Sequence, residues 1–285
     1  MAEATAGAAA PLPMSRRSSP EALSYRLVIG ALSGLAILIL VLPVVVVLVT
    51  SFTDSLSLKF PPPAYSLRWY RALLDPVKSA QIHTAALNSL IVAASATAVS
   101  AVLGTLAALA IARRRTWWAQ ALDSLFMSPL ILPALAFGLA ALMFFTMLGF
   151  RLSLATMILG HVAVITPFIL RTTIASLSQL DLAQLDTSAS LGAGPLYTFR
   201  RVTLPVIRPG ILAGAFLAFM ASVDNVSVSL FLANPETDVL PIRMWSMLES
   251  TLDVRTAAVS GVLIATTALF VFVMDRVAGL TRRLT

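Results

Sequence analysis

The sequence predicts an all-α membrane protein with six transmembrane helices, and three observations carry that prediction. The chain is 58% hydrophobic and only 12% charged, with a mean hydropathy of +0.90, more apolar surface than a soluble core can hide. Windows of about twenty apolar residues, enough to cross the hydrocarbon core at 1.5 Å per residue, fall at about 27–49, 85–112, 121–148, 152–176, 209–232 and 256–279. The basic residues gather between these windows, so the net charge of +7 and pI near 10.7 read as membrane orientation rather than nucleic-acid binding.

Residues 1–24, rich in Ala, Ser and Pro, lack the periodicity of a packed element and are expected to form a disordered cytoplasmic tail ahead of a transmembrane domain at 25–285. The Arg16-Arg17 pair before an apolar run raises the alternative of a secretory signal. Leu27 to Val49 is longer than a signal h-region and shows no small-residue cleavage site, which favours a retained first span. The loop that follows carries Pro61-Pro62-Pro63, which favours extended chain. Leu67, Tyr70, Arg71 and Leu74 then take helical spacing on a surface helix, whose aromatics serve either as headgroup anchors or as a ligand cage.

The second span opens with Asn88-Ser89-Leu90 and is rich in Ala, Ser, Thr and Gly, residues that let helices approach closely. The third contains Pro129 and Pro133, each of which removes a backbone hydrogen bond and invites a bend, for packing or for a gate. The fifth carries Ser222, Asp224, Asn225, Ser227 and Ser229. A carboxylate within a span must face protein or water, so Asp224 either packs against neighbouring hydroxyls or lines a solute path with Asn225 and Ser222. Between the last two spans, Ile242, Trp245 and Leu248 share one face of a short interfacial helix, a membrane-surface cap or a gate.

Orientation follows from the arginines. With the amino terminus in the cytoplasm, thirteen of the twenty Lys and Arg residues fall on that side, among them Arg113–Arg115 and the Arg282-Arg283 pair next to spans. Six spans return both termini to that side. The long polar interruption Gln179–Gly210 therefore faces the cytoplasm. It begins as a helix with Leu182, Leu185, Ala189 and Gly192 on one stripe, is broken by Gly192 and Gly194, and restarts at Pro195 with Leu196 and Phe199 sharing a face. Pieces this short need a partner to dock against.

Several chemistries are excluded. The chain has no cysteine, so it offers neither disulfides nor thiolate metal sites. His83 and His161 are its two histidines, read as hydrogen-bonded packing residues. Lys59 and Lys78 are its two lysines and neither follows a glycine-rich turn, so no Gly-Lys-Ser/Thr phosphate loop exists. No convergent acid–base set marks a catalytic residue, and neither ion-coupling residues nor internal repeats favour a secondary transporter. If ATP powers this chain, it binds to another polypeptide.

Residues Asp186 to Pro205 resemble the cytoplasmic loop signature of ABC importer permeases: Glu-Ala-Ala, three residues, Gly, nine residues, Ile-x-Leu-Pro. Here Asp186-Thr187-Ser188 precedes Gly192, and Val202-Thr203-Leu204-Pro205 closes the motif with its spacing kept. Asp186 retains the acid, whereas Thr187 and Ser188 replace two alanines. NSLIVA at 88–93, the arginines at 113–115, PLILPALAFGLA at 129–140 and LPIRMWSML at 240–248 look like permeases of the spermidine/putrescine type.

The resemblance implies a type I ABC importer permease fold, with a cytoplasmic coupling helix between helices four and five in a coupling segment at 180–205. Asp186, Thr187, Ser188, Gly192, Leu196, Phe199, Leu204 and Pro205 would meet an ATPase. Arg200 and Arg201 would reach acidic ATPase residues or anionic lipid. The implied partners are a second permease, two ATPase subunits that bind the ATP and Mg, and a periplasmic solute-binding protein. The implied cargo is a polyamine or related organic cation, with an aminophosphonate, a metal ion or another small solute as the alternative. This chain itself would need no cofactor and would sit in the bacterial inner membrane.

Overall fold

A computed structural model describes residues 20–112 and 116–278. The expected tail lies outside the described residues up to 19, and residues 20–24 already belong to a helix rather than to a tail. In chain order the helices are α1 (Pro20–Ser51), α2 (Arg68–Leu74), α3 (Ala80–Ile111), α4 (Trp117–Ile131), α5 (Ala134–Met147) and α6 (Leu154–Leu177). There follow α7 (Leu182–Ser190), α8 (Pro195–Thr198), a π-helical turn (Phe199–Thr203), α9 (Leu204–Val223), α10 (Val226–Leu232), α11 (Leu240–Thr251) and α12 (Arg255–Ala278).

Five of the expected spans are helices long and apolar enough to cross a membrane: α1, α3, α6, the run from α8 through α9, and α12. The sixth departs from expectation. Residues 121–148 form not one helix but two, α4 and α5, bent by 108°. The break is at Leu132-Pro133. A residue before proline is pushed out of the helical region, and Leu132 is extended (φ −71°, ψ 145°), while Pro133 has no N–H to continue the ladder.

The fifth span differs as well. It begins at Pro195 rather than near 209, because α8, the π turn and α9 run on as one 29-residue helix. It also stops at Asp224, where an uninterrupted helix through 232 is expected from hydropathy. Asn225 leaves helical geometry (φ −77°, ψ 87°), and its Oδ1 accepts from Val228 N at 2.9 Å, capping α10 as the end of a new helix.

α3, α6 and α9 form the packed centre. Its middle layer joins Ala96, Val162, Ile165, Ile169 and Ala218, all buried. Small residues permit the approach: a Cβ on Gly214 of α9 would meet Ile169 Cα at 2.7 Å, and one on Gly104 of α3 would meet Ile169 Cβ at 3.1 Å. α5 packs on α10, and α1 lies along α12. Outward residues of α1 are apolar, Leu40 being 74% exposed, which suits a lipid-facing helix and would be costly in water. The opening of α3 ties down the distant α10–α11 connection: Asn88 Nδ2 donates to Asp238 O at 2.9 Å, and Ser89 Oγ accepts from Leu240 N at 2.8 Å.

Candidate functional site

At one end of the molecule α7 stands beyond the spans, and α8 opens the run that continues into α9. Asp181 starts α7 by accepting from Ala183 N at 2.9 Å. Gly192 ends it in the left-handed region (φ +74°), with Gly192 N donating to Ala189 O and Ala193 N to Ser188 O, the paired bonds of a Schellman cap. Pro195 then occupies the first turn of α8. The two hydroxyl residues that replace alanines are both engaged: Thr187 Oγ1 donates to Ala183 O at 2.7 Å, and buried Ser188 meets Thr198 Oγ1 at 2.8 Å, joining α7 to α8.

The remaining residues of this segment divide into two groups. Leu185, Phe199, Val202 and Leu204 reach back to a buried cluster of Ala108, Leu170, Leu177, Leu180 and Ile207, which anchors the segment to α3, α6 and α9. Leu182, Leu191, Leu196 and Tyr197 point away, each at least 60% exposed. Leu196 and Phe199, placed on one face by their spacing, therefore part: Leu196 is exposed and Phe199 packs on the cluster. Asp186 and Pro205 are exposed, and Pro205 lines a groove of about 520 Å³ with Thr187, Gln184, Ala183, Arg201, Val202 and Val206.

The second constellation surrounds the break in the fifth span. A cleft of about 680 Å³ opens between the end of α9, α11 and α12, lined by Met220, Val223, Leu240, Met244, Trp245, Leu248, Thr256, Ser260, Leu263 and others. Asp224 is the single ionisable residue in that lining. Its carboxylate is exposed there, and among the described residues no ion pair engages it. The Trp245 ring stands in the same cleft, its Nε1 donating to Glu249 at 3.1 Å.

The three residues expected along a solute path are thus separated. Asp224 faces the cleft, half-buried Asn225 spends its side-chain oxygen on the cap of α10, and buried Ser222 bonds His161 Nδ1 at 2.7 Å in the interior. The contribution of Trp245 to this cleft was not legible from its place in an interfacial-helix pattern. His161 gave a weaker signal still, one histidine in an apolar run.

The rim at the opposite end from α7 is charged. Arg255 Nη2 pairs with Asp253 at 2.6 Å, and its Nη1 donates to Lys78 O at 2.7 Å, clasping the start of α12 to the α2–α3 loop. Burial pushes the Asp253 carboxyl up, but hydrogen bonds from the Arg255 side chain and backbone outweigh it and hold the carboxyl below its usual value. At Asp238 burial wins over the attraction of Arg243, and the carboxyl is raised. Among the described residues no cluster of His, Cys, Asp and Glu has the form of a metal site.

Two interrupted apolar helical runs, a cleft at one break and an anchored, projecting helical pair fit a translocation subunit, and residues 100–284 match the family of binding-protein-dependent transport system inner membrane components. The chain belongs to that family. It is 25% identical over 239 residues to the spermidine/putrescine transport system permease protein PotC of Escherichia coli (strain K12), covering 84% of this chain and 89% of that one. It is 30% identical over 211 residues to the putrescine transport system permease protein PotI of the same strain, covering 72% and 74%. The fold is that of a bacterial ABC transporter involved in the import of the acidic polysaccharide alginate, with a TM-score of 0.70 over 93% of this chain and 98% of that chain at 15% identity. This chain is accordingly a permease subunit of the ABC importer class and a multi-pass bacterial inner-membrane protein.

Proposed function

We propose that this permease forms half of an ATP-driven alternating-access pathway that carries a small organic cation of the polyamine class from a periplasmic binding protein to the cytoplasm. The observation that carries the reading is the cleft at the break of the fifth span, where Asp224 is the single ionisable group and Trp245 adds an aromatic face. A carboxylate attracts an ammonium group directly, and an indole face attracts it through its quadrupole. The names of PotC and PotI point to the same class of solute.

The arginine distribution supports placing α7 and α8 in the cytoplasm with both termini. The exposed side chains of Leu182, Leu191, Leu196 and Tyr197 then face water in the isolated chain. Covering a leucine contributes about 1.5–3 kcal/mol, so these residues favour a protein cover. The family resemblance makes that cover one of two ATPase subunits, which bind the ATP and Mg, while a second permease completes the pore. Because α8 continues into α9, a push on Leu196 or Tyr197 is delivered along one helix whose far end carries Asp224.

The test is a complex reconstituted in proteoliposomes with its ATPase, second permease and binding protein. Losing one charged contact costs about 1.5–3 kcal/mol, so Asp224→Ala should raise the spermidine concentration for half-maximal uptake by roughly 10- to 100-fold without loss of assembly. Unchanged uptake in an assembled Asp224→Ala complex would remove Asp224 from the pathway. Transport of an anionic or neutral solute in preference to spermidine would overturn the cargo class.

A further inference from the structure

Among the described residues His161 is the one buried titratable side chain within the spans to which the transport reading gives no task. It lies on α6 at 1% exposure, with Nδ1 2.7 Å from Ser222 Oγ and Nε2 3.1 Å from Ser229 Oγ. The two serines stand on opposite sides of the break in the fifth span: Ser222 is in the last turn of α9, and Ser229 is in α10. A neutral imidazole has one N–H and one bare nitrogen, and a hydroxyl can donate or accept, so both ring nitrogens are satisfied with either tautomer.

α9 and α10 are seated on α6 separately. α9 rests through Gly214 against Ile169, and α10 rests against Gly160, where a Cβ would meet Leu232 Cδ1 at 2.7 Å and Val228 Cγ1 at 2.9 Å. Between the two seats the regular ladder is interrupted, and short bonds such as Asn225 N to Ser222 O (3.3 Å) and Val226 N to Asp224 O (2.9 Å) take its place. These local bonds turn the chain but do not fix one helix against the other. The imidazole does, because it holds a hydroxyl from each.

We propose that His161 is a positioning residue that clamps α9 to α10 across the break and thereby sets where Asp224 enters the cleft. An apolar side chain of similar size would fill the space and leave the serine hydroxyls to bond back to their own helices. That would loosen the angle without opening a cavity. The role rests on the proposed pathway only for the importance of Asp224; the clamp itself is a matter of geometry.

The absence of cysteine makes the test direct, since Asp224→Cys supplies a unique thiol at the break. In the reconstituted complex, its rate of modification by a small charged methanethiosulfonate is measured with His161, with His161→Leu and with His161→Gln. The amide of glutamine offers a donor and an acceptor. Removing the clamp should change the rate by roughly fivefold or more, the ratio that one hydrogen bond sustains, and glutamine should bring it back toward the His161 value. Equal rates in all three, or glutamine behaving as leucine, would overturn the clamp. Should the leucine variant fail to assemble, Ser222→Ala in the Asp224→Cys chain removes one arm alone, and an unaltered rate there overturns it equally. Spermidine uptake by the Asp224→Ala complex reads the other question: an unchanged half-maximal concentration there, with the thiol modification rate still responding to residue 161, would refute the solute role of Asp224 and leave the clamp standing.

Discussion

Gly192 separates backbone strain from side-chain volume. Its φ of +74° ends α7, yet a Cβ built there meets no atom within 4 Å, so a substitution is opposed by conformation and not by crowding. The left-handed region costs an L-residue about 1–2 kcal/mol, asparagine least, and more for a β-branched side chain. Gly192→Asn should therefore be tolerated, Gly192→Ala should cost about 1 kcal/mol, and Gly192→Val should cost about 2 kcal/mol or more. At 1.4 kcal/mol per factor of ten, valine shifts the balance between the capped turn and its open forms by roughly 30-fold or more. The cap bond from Ala193 N to Ser188 O is the reporter. Hydrogen exchange of the 187–198 peptide should quicken in the order Gly, Asn, Ala, Val, and solute uptake per ATP hydrolysed should fall in the same order while the spans stay assembled. By the same strain Gly192→Trp, which is not β-branched, should cost about 1–2 kcal/mol and lower uptake no more than valine does. A valine variant with native exchange and native uptake would refute the reasoning, because nothing else about that site resists a side chain.

Ser188→Ala and Thr198→Val, combined in a double-mutant cycle on thermal unfolding, should show a coupling of about 0.5–1.5 kcal/mol from their 2.8 Å hydrogen bond. Gly214→Val should destabilise the α6–α9 contact by about 1–3 kcal/mol and lower the melting temperature in detergent, since its Cβ would lie 2.7 Å from Ile169 Cα. Asp253→Asn tests the rim clasp through pH. The folded carboxyl titrates below 3.8, so its stabilisation is present above that pH and is lost as pH falls through the folded value. The partly exposed pair should contribute about 1 kcal/mol or less. The gap between wild type and Asp253→Asn should hold between pH 5 and 7 and close in acid.

Hydropathy marks apolar helices because it depends on composition: α3, α6 and α12 lie close to their apolar windows, whereas α1 starts at Pro20, well ahead of the window that opens at Leu27. The breaks were less legible, for reasons particular to each. Pro133 announces a bend, but its 108° angle depends on what α5 finds to pack against, and that is α10, with a Cβ on Gly138 meeting Phe231 Cδ2 at 2.7 Å. At Asp224-Asn225 the apolar run conceals a stop. The sequence signal was an asparagine three residues before a free N–H, a cap pattern outweighed there by the hydrophobic window. Between α7 and α8, glycine and proline chemistry marked Gly192 as the end of one helix and Pro195 as the start of the next, as the structure has them, but the three-residue spacing was less informative. It did not sort Leu196 from Phe199: residues three apart differ by about 60° around a helix, enough at a surface to send one outward and the other into the cluster. His161, Ser222 and Ser229 were out of reach for a simpler reason, since the bonds join residues 61 and 68 positions apart.

The continuity of α8 with α9 bears directly on mechanism. Had the chain left the α7–α8 segment through a flexible loop before 209, a displacement of Leu196 or Tyr197 would have been absorbed there. Instead 29 residues, roughly 43 Å at 1.5 Å each, run from Pro195 to Val223 with a π turn at Phe199–Thr203 as the one irregularity. A helix transmits axial displacement and rotation along its length, whereas a π turn is where register is locally loosened. That turn sits against the buried cluster of Leu177, Leu180 and Ile207, so its neighbours restrain it. The second interruption lies at the other end of the span, at Asp224-Asn225, where the backbone ladder is broken and His161 bridges the halves. On the proposed pathway, motion entering at Leu196 and Tyr197 would therefore be carried along one helix as far as the cleft. There α10 is held by α5 and α6 and bridged to the end of α9 by His161, so on the proposed pathway a displacement of α9 is met at Asp224, where that bridge resists it.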